Sequence, residues 1–361
     1  MRVLAIETTC DETSVCLLDG GRILSNVVLS QIPLHRKYSG VVPELASRAH
    51  LENIPGVLSA ALTRAGYRRP FFRSGRPSGP KIDAVVFSRG PGLPGALLVS
   101  RVAAETAARL LGTRLIGVNH LEGHFLACEL SGGGAAAPIR FPCIGLIVSG
   151  GHTELWKAAG YGKYEILGRT RDDAAGEAFD KVAKLLGLGY PGGPAVEKAA
   201  SRAEAYADPK QAFPRPYMDD TWDFSFSGLK TAVAYRLRDL LGADFYEERL
   251  RLPPRAEASV CLAFEEAVAD TLVRKTVRAC AAFGIDRVVV GGGVAANLRL
   301  RKKFSEAFRR LPAGGAVTFA ERRYCTDNAA MIALCGARRL ARGASRGPLD
   351  IAPDLSAASW A

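Results

Sequence analysis

No C-x-x-C pair occurs among the eight cysteines of this 361-residue chain. Cys10, Cys16, Cys128, Cys143, Cys261, Cys280, Cys325 and Cys335 are scattered, which argues against a zinc ribbon or a disulfide framework and leaves buried thiols. No apolar run approaches the roughly 18 residues that a membrane-spanning helix needs. Glu7 comes too early for the apolar stretch of a secretory signal. The chain is therefore expected to be soluble and cytoplasmic, with no membrane partner. The metalloprotease pattern H-E-x-x-H is absent as well, and histidine is scarce, with five in all.

What is present is a basic, moderately apolar chain. Apolar residues make up 48%, charged residues 23%, and the formal net charge is +12. That length and apolar share suffice for two or three domains with a sizeable core. The positive excess favours polyanionic partners through phosphate contacts and counterion release, without choosing among them.

The patterning is that of an α/β protein with covered sheets. Val3–Ile6 is a near-continuous apolar strand, followed by the polar turn Glu7–Ser14, a second strand Val15–Leu18 and a third, Arg22–Leu29. About 140 residues later the plan returns: Cys143–Val148, the turn Ser149–Thr153, then Glu154–Ala158. Two such units suggest a duplicated, two-lobe architecture. Residues 44–66, 95–111, 176–187, 193–206, 227–241 and 256–283 carry helical periodicity. Ile82–Ser88 and Arg287–Val290 look like buried strands. Arg68–Pro80 is rich in Arg, Pro and Gly and is expected to be an exposed, disordered insertion. Ser131–Ala137 is the candidate linker. The expected division is 1–138 with a returning helix near 324–345, then 139–323, then a tail at 346–361.

His120-Leu121-Glu122-Gly123-His124 is the sharpest local signal. Residues four apart on a helix share a face, so both imidazoles can reach one cation. With five histidines in the chain, chance places such a pair roughly one time in twenty. Glu122 is third in the motif, so it leaves the helix in a different direction from a metalloprotease base. Asp327 lies at a helix start, where the plainer role for a lone acid is N-capping. Glycine turns at 149–153, 189–194 and 291–297 could each cradle phosphate through backbone N–H groups. The last also satisfies a relaxed dinucleotide-binding pattern with Glu321 downstream. Such a site usually opens its domain, and this one comes near the chain's end. Residues 171–181 concentrate acids at a helix start, and a solvated charged face is the plain reading of them.

Together the motifs IETTCDETSV, GVVPELASRAHLE (from Gly40), GPGLPGALLV, NHLEGH, VSGGHTEL, DDAAGEAFDK, LGLGYPGG, FSFSGLKTAV, GGGVAAN and TDNAAM resemble the bacterial tRNA threonylcarbamoyltransferase family. The resemblance runs from Ile6 to about Ala333. It implies an actin-like α/β fold of two lobes with the nucleotide in the cleft between them. It implies His120, His124 and Asp327 as ligands of one divalent metal, iron or zinc. Ile147, Val148, Ser149, Gly150 and Gly151 match the substrate-phosphate loop, and Asp180, Gly193, Glu197 and Asn297 match positions that hold the nucleoside. The implied reaction moves threonylcarbamoyl from threonylcarbamoyl-AMP to the exocyclic amine of the adenosine 3′ to the anticodon in tRNAs reading ANN codons. AMP is released, and ATP, ADP or AMP would fit the same site. The implied partners are tRNA, an inactive actin-like paralogue and a P-loop ATPase.

Asp11 and Glu12 are candidates for handling the amine's proton, with turn formation as the alternative role. Three features depart from the family's pattern. Thr9 stands where Ser is usual, Cys325 stands where Ser usually precedes TDN, and the 68–80 loop is long. A protease, a non-catalytic paralogue and an actin-like kinase are the competing readings. The motif order, the intact metal residues and the histidine pair argue against each in turn.

Overall fold

Val3–Ile6 shows no alternation because both faces of its strand are covered. In the computed structural model Val3, Leu4, Ala5 and Ile6 are all fully buried. The structure describes residues 1–68, 71–73, 76–135, 137–203, 212–218, 220–242, 251–310, 315–343 and 348–356. They form two units, one of 1–139, 161–163 and 320–361, the other of 140–160 and 164–319.

In the first unit β1 (Arg2–Glu7), β2 (Glu12–Asp19) and β3 (Arg22–Ser30) run as an antiparallel meander. The short α1 (Ile32–His35) and the long α2 (Pro43–Arg64) follow, then the hairpin β4 (Phe72–Arg73) and β5 (Arg76–Pro77). Next come β6 (Ala84–Gly90), α3 (Pro94–Leu111), β7 (Arg114–Asn119), α4 (His120–Leu126), β8 (Leu130–Ser131) and β9 (Gly134–Ala135). The sheet order is β7-β6-β1-β2-β3-β9-β8, with β6 parallel to both β1 and β7. Leu4, Ile6, Val15, Leu17, Val85 and Phe87 share one core cluster with Ile54, Val57 and Ala61 of α2 and Ala104 and Ala108 of α3.

The second unit contains β10 (Cys143–Val148), β11 (Thr153–Gly160), β12 (Lys163–Arg169), α5 (Ala175–Leu186), α6 (Gly192–Ala200), α7 (Ser227–Leu241) and α8 (Pro254–Phe283). It closes with β13 (Arg287–Gly291), α9 (Leu298–Arg309) and β14 (Ala316–Phe319) in a sheet ordered β12-β11-β10-β13-β14. The chain then returns to the first unit through α10 (Arg322–Cys325) and α11 (Ala329–Ala341), and α11 packs on the sheet face opposite the cluster. In each unit the first strand pairs antiparallel with the strand that follows it and parallel with a later one, β1 with β6 and β10 with β13. The repeated strand–turn–strand pattern thus marks a repeated sheet topology.

Long α8 is buried on most sides, and its Lys275 is fully buried. The ammonium survives there because it donates to the carbonyls of Met218, Thr221 and Asp223. This pins the segment that leads into α7.

Several expectations are corrected. The first polar turn is shorter than Glu7–Ser14, because Glu7 ends β1 and Glu12, Thr13 and Ser14 pair with Ser30, Leu29 and Val28. The proposed linker at 131–137 contributes strands β8 and β9, with Gly134 pairing to Arg22, and the unit boundary falls after Ile139. Ala136 lies outside the described residues. The described part of the 68–80 loop is a hairpin rather than a disordered insertion, with Ser78 N donating to Phe71 O at 2.8 Å. Residues 69, 70, 74 and 75 of that loop are outside the description. The helix expected over 193–206 ends at Ala200 and gives way to a 3-10 turn, Ser201–Ala203, while 204–206 are not described. In the expected tail, 346, 347 and 357–361 lie outside the described residues. The rest packs on the first unit, with Ala352 N donating to Arg89 O at 2.7 Å and Leu355 buried. All eight cysteines are free thiols and all but Cys10 are buried. Among the described residues no helix is long and apolar enough to cross a membrane.

Candidate metal centre and adenylate site

Asn119 ends β7 and caps α4, its side-chain oxygen accepting from Leu121 N at 2.8 Å and Glu122 N at 3.2 Å. The cap starts the helix at His120 and sets His120 and His124 one turn apart on the same face. Their ring centroids are 4.6 Å apart. Asp327 does not serve as the cap of α11. Asn328 does, accepting from Ala330 N and Met331 N at 3.1 and 3.2 Å. The Asp327 carboxylate is thereby left free to face the histidines. Its Oδ1 lies 3.4 Å from His120 Nε2 and 3.1 Å from His124 Nε2.

Gly123 makes room for this approach, since a Cβ there would sit 2.8 Å from Ile332 Cδ1 on α11. Glu122 accepts from the Cys335 thiol at 3.1 Å, which ties α4 to α11. Cys325 is turned to the carbonyls of Ala320 and Glu321, each 3.5 Å away.

Ligand atoms of His120, His124 and Asp327 all lie within 4.8 Å of one another. Both ring nitrogens of buried His124 lack a hydrogen-bond partner, and its Nε2 approaches Asp327 outside hydrogen-bond geometry. Orphaned buried imidazole nitrogens beside a carboxylate are what a divalent cation would satisfy, so the residues fit such an ion. The electrostatics agree. Burial alone would lower the His120 pKa, but the Asp327 and Glu7 carboxylates outweigh it and push it up to about 10. Burial opposes ionisation of Asp327 too, yet His120 holds that carboxyl far below its usual range. The pocket is built for positive charge between two acids.

Behind His120 stands Glu7, which the motif reading passed over. Its carboxylate lies 3.2 Å from His120 Nδ1 and accepts from Thr9 N at 2.6 Å and from the Ser88 hydroxyl. An acid closing an otherwise apolar strand was the available signal. Asp11 is buried, and Glu12 opens β2 rather than sitting in the turn. Burial raises the Glu12 carboxyl well above its usual range, and the neighbouring Asp11 and Asp327 carboxylates add to the effect. Ser30 donates to Glu12 at 3.2 Å. His50, also passed over, braces this turn. Its Nε2 donates to Cys10 O at 2.9 Å, and its Nδ1 accepts from Thr13 Oγ1 at 2.8 Å.

In the second unit, the Ile147–Gly151 segment ends β10 and turns back through Ser149 N to His152 O at 2.8 Å. A Cβ at Gly150 or Gly151 would meet nothing within 4 Å, so this loop's backbone is open to a ligand. Its flank is tight: a Cβ at Gly176, at the start of α5, would lie 2.6 Å from Ser149 O. Asp180 on α5 accepts from Gly192 N at 2.6 Å, next to Gly193 at the start of α6. Glu197 on α6 accepts from Leu298 N at 2.7 Å, next to Asn297. Asp180 is thus tied to the residue before Gly193, and Glu197 to the residue after Asn297. Asn297 caps α9 through Leu300 N at 2.8 Å and donates to buried Glu265 at 2.6 Å, and Arg299 holds Glu265 at 2.9 Å. Sequence spacing held no signal for Glu265, whose partners lie about 30 residues away.

A family profile described as TsaD: tRNA N6-adenosine threonylcarbamoyltransferase matches residues 22–334. A protein of that name from Anaeromyxobacter dehalogenans (strain 2CP-C) is 47% identical over 350 residues, 96% of this chain and 96% of its own length. Another from Salinibacter ruber is 47% identical over 356 residues, 98% of this chain and 99% of its own. Among solved structures, that of HypF from T. kodakarensis matches with a TM-score of 0.58 at 15% identity. That match covers 97% of this chain and 49% of the HypF chain, and it speaks to fold alone. The fold is thus the α/β, actin-like one, with a mixed sheet flanked by helices in each unit. Family match and relatives both span nearly the whole chain, and they make this protein a member of the tRNA N6-adenosine threonylcarbamoyltransferase family, a transferase of tRNA modification.

Proposed function

We propose that the protein transfers the threonylcarbamoyl group from threonylcarbamoyl-AMP to N6 of the adenosine 3′ to the anticodon in tRNAs reading ANN codons. The observation that carries the reading is the buried His120–His124–Asp327 cluster with its orphaned imidazole, in a chain of this family. In the transfer, N6 forms the new C–N bond to the carbamoyl carbon. The C–O bond to phosphate breaks, and AMP leaves with the electron pair. An exocyclic adenine amine is a weak nucleophile, so an acyl phosphate with a good leaving group suits it. A divalent ion, iron or zinc, held by the three ligands would polarise the acyl carbonyl.

This chain's own residues do the rest. The Ile147–Gly151 loop takes the phosphate, at its open Gly150–Gly151 backbone. Asp180, Gly193, Glu197 and Asn297 hold the nucleoside. Asp11 and Glu12, which share a hydrogen bond, are the candidates for taking the amine's proton. The +12 net charge favours tRNA, and an anticodon-loop base leaves its stack at little cost. An inactive actin-like paralogue and a P-loop ATPase are the proposed protein partners.

The test supplies purified threonylcarbamoyl-AMP and transcripts of ANN-reading and other tRNAs, then follows tRNA mass and released AMP. We expect the mass gain on ANN-reading transcripts only, with one AMP released per modified tRNA. Equal gain on all transcripts would remove the codon specificity, and AMP release without mass gain would remove the acceptor.

A further inference from the structure

Glu7 ends β1, Ser88 lies near the end of neighbouring β6, and His120 follows the end of β7, the next strand along. Three adjacent strands thus bring a carboxylate, a hydroxyl and an imidazole to one edge of a rigid sheet. Glu7 is fully buried, and no Lys or Arg shares an ion pair with it among the described contacts. Its oxygens are occupied in a definite way. Oε1 accepts from Thr9 N at 2.6 Å, while Oε2 takes the Ser88 hydroxyl and faces His120 Nδ1 at 3.2 Å. The Thr9 hydroxyl lies 3.2 Å from the same Nδ1. A hydroxyl can donate or accept, so Thr9 alone leaves the imidazole tautomer open. A carboxylate only accepts, which places a ring hydrogen on Nδ1 and leaves Nε2 as the nitrogen that would give its lone pair to a bound cation. That Nε2 is the atom 3.4 Å from Asp327.

We propose that Glu7 is the positioning residue of the metal centre, fixing the tautomer and ring orientation of His120 so that Nε2 is offered as a ligand. The proposal rests on the reading of His120, His124 and Asp327 as the ligand set. Carboxylates behind ligating histidines raise their basicity and lock the ring, and losing one costs roughly 10–100-fold in metal affinity. His124 has no such support, since neither of its nitrogens has a hydrogen-bond partner. The centre is therefore asymmetric, with a carboxylate behind His120 Nδ1 and no hydrogen-bond partner at His124 Nδ1.

Glu7→Gln separates positioning from packing. The amide keeps the shape, and its oxygen can still accept from Thr9 N, but it turns an NH2 donor toward Ser88 and His120 Nδ1. That donor favours the wrong tautomer. The full chain, stripped and reloaded, is titrated with Zn2+ against a chromophoric chelator, and the visible spectrum of the Co2+ form is recorded. Glu7→Gln should bind zinc roughly 10–100-fold more weakly and show shifted cobalt bands, while thermal unfolding confirms that it remains folded. Glu7→Ala should lose at least as much, and the Gln variant carries the test if the Ala variant fails to fold. Wild-type zinc affinity and an unchanged cobalt spectrum in Glu7→Gln would overturn the proposal. Asp327→Ala distinguishes the underlying reading: undiminished zinc binding in that variant would remove the ligand set itself, whatever Glu7 does.

Discussion

Asp327→Ala should lose stoichiometric zinc or iron, with affinity falling by more than about 100-fold, beyond the usual cost of losing an outer-shell partner. Among the described residues the carboxylate is the only anion that reaches both imidazole Nε2 atoms, at 3.4 and 3.1 Å. Without it two neutral nitrogens remain, and a divalent ion in a buried site is left without charge compensation. On the proposed function, threonylcarbamoyl transfer should fall by roughly 1,000-fold or more, because a bound ion would polarise the acyl carbonyl. A thermal readout separates metal loss from misfolding. Zinc at about 1,000 times its Kd stabilises a binding protein by about 4 kcal/mol, so it should raise the wild-type Tm and leave the variant's unchanged. Full zinc content in folded Asp327→Ala would show that the ion sits elsewhere.

Gly292→Ala should damage the second unit as severely. Gly292 has φ +95°, and a Cβ there would lie 2.3 Å from Val148 O. The neighbour is backbone and cannot swing aside, so β13 must shift from β10 where the proposed phosphate loop begins. Left-handed strain of about 1–2 kcal/mol adds to that displacement, for a total of about 3 kcal/mol or more. We expect Tm to fall by roughly 5 °C or more, and the KM for threonylcarbamoyl-AMP to rise more than about 10-fold because the loop is displaced. Gly293→Ala is the internal control. Its Cβ would meet nothing within 4 Å, so both readouts should stay near wild type. Equal behaviour of the two variants would show that the close packing at Val148 does not hold the loop.

Much of this was legible in the chain, and for identifiable reasons. Helices α2, α3, α5, α7 and α8 announced themselves because a buried face recurs with a 3.6-residue period and Pro or Gly marks their ends. Strand β10 matched residue for residue, since a fully buried strand bounded by a glycine turn has few alternatives. Strands β7, β12 and β14 were missed. Lys163–Arg169 and Ala316–Phe319 mix exposed with buried residues without a long apolar run. The SGGGAAA segment looked like a linker by composition, but backbone pairing to Arg22 draws it into the sheet, which small residues permit as readily as they permit flexibility.

At the candidate metal centre the histidine pair could be read from its spacing, while the carboxylate beside it could not. Asp327 lies 203 residues beyond His124, and Asn328 rather than Asp327 turned out to cap α11. His50 and Glu265 were illegible for the same physical reason. Each acts by hydrogen bonds across the fold, where a single sequence carries no periodicity.

The most direct test of the central claim is single-turnover transfer of labelled threonylcarbamoyl from its adenylate to an ANN-reading tRNA. Metal-loaded wild type is compared with folded His120→Ala, with the two proposed protein partners supplied to both. The account predicts one labelled adenosine per tRNA beside the anticodon with wild type and essentially none with the variant. Transfer by His120→Ala at the wild-type rate, or no transfer by the folded, metal-loaded wild type, would contradict it.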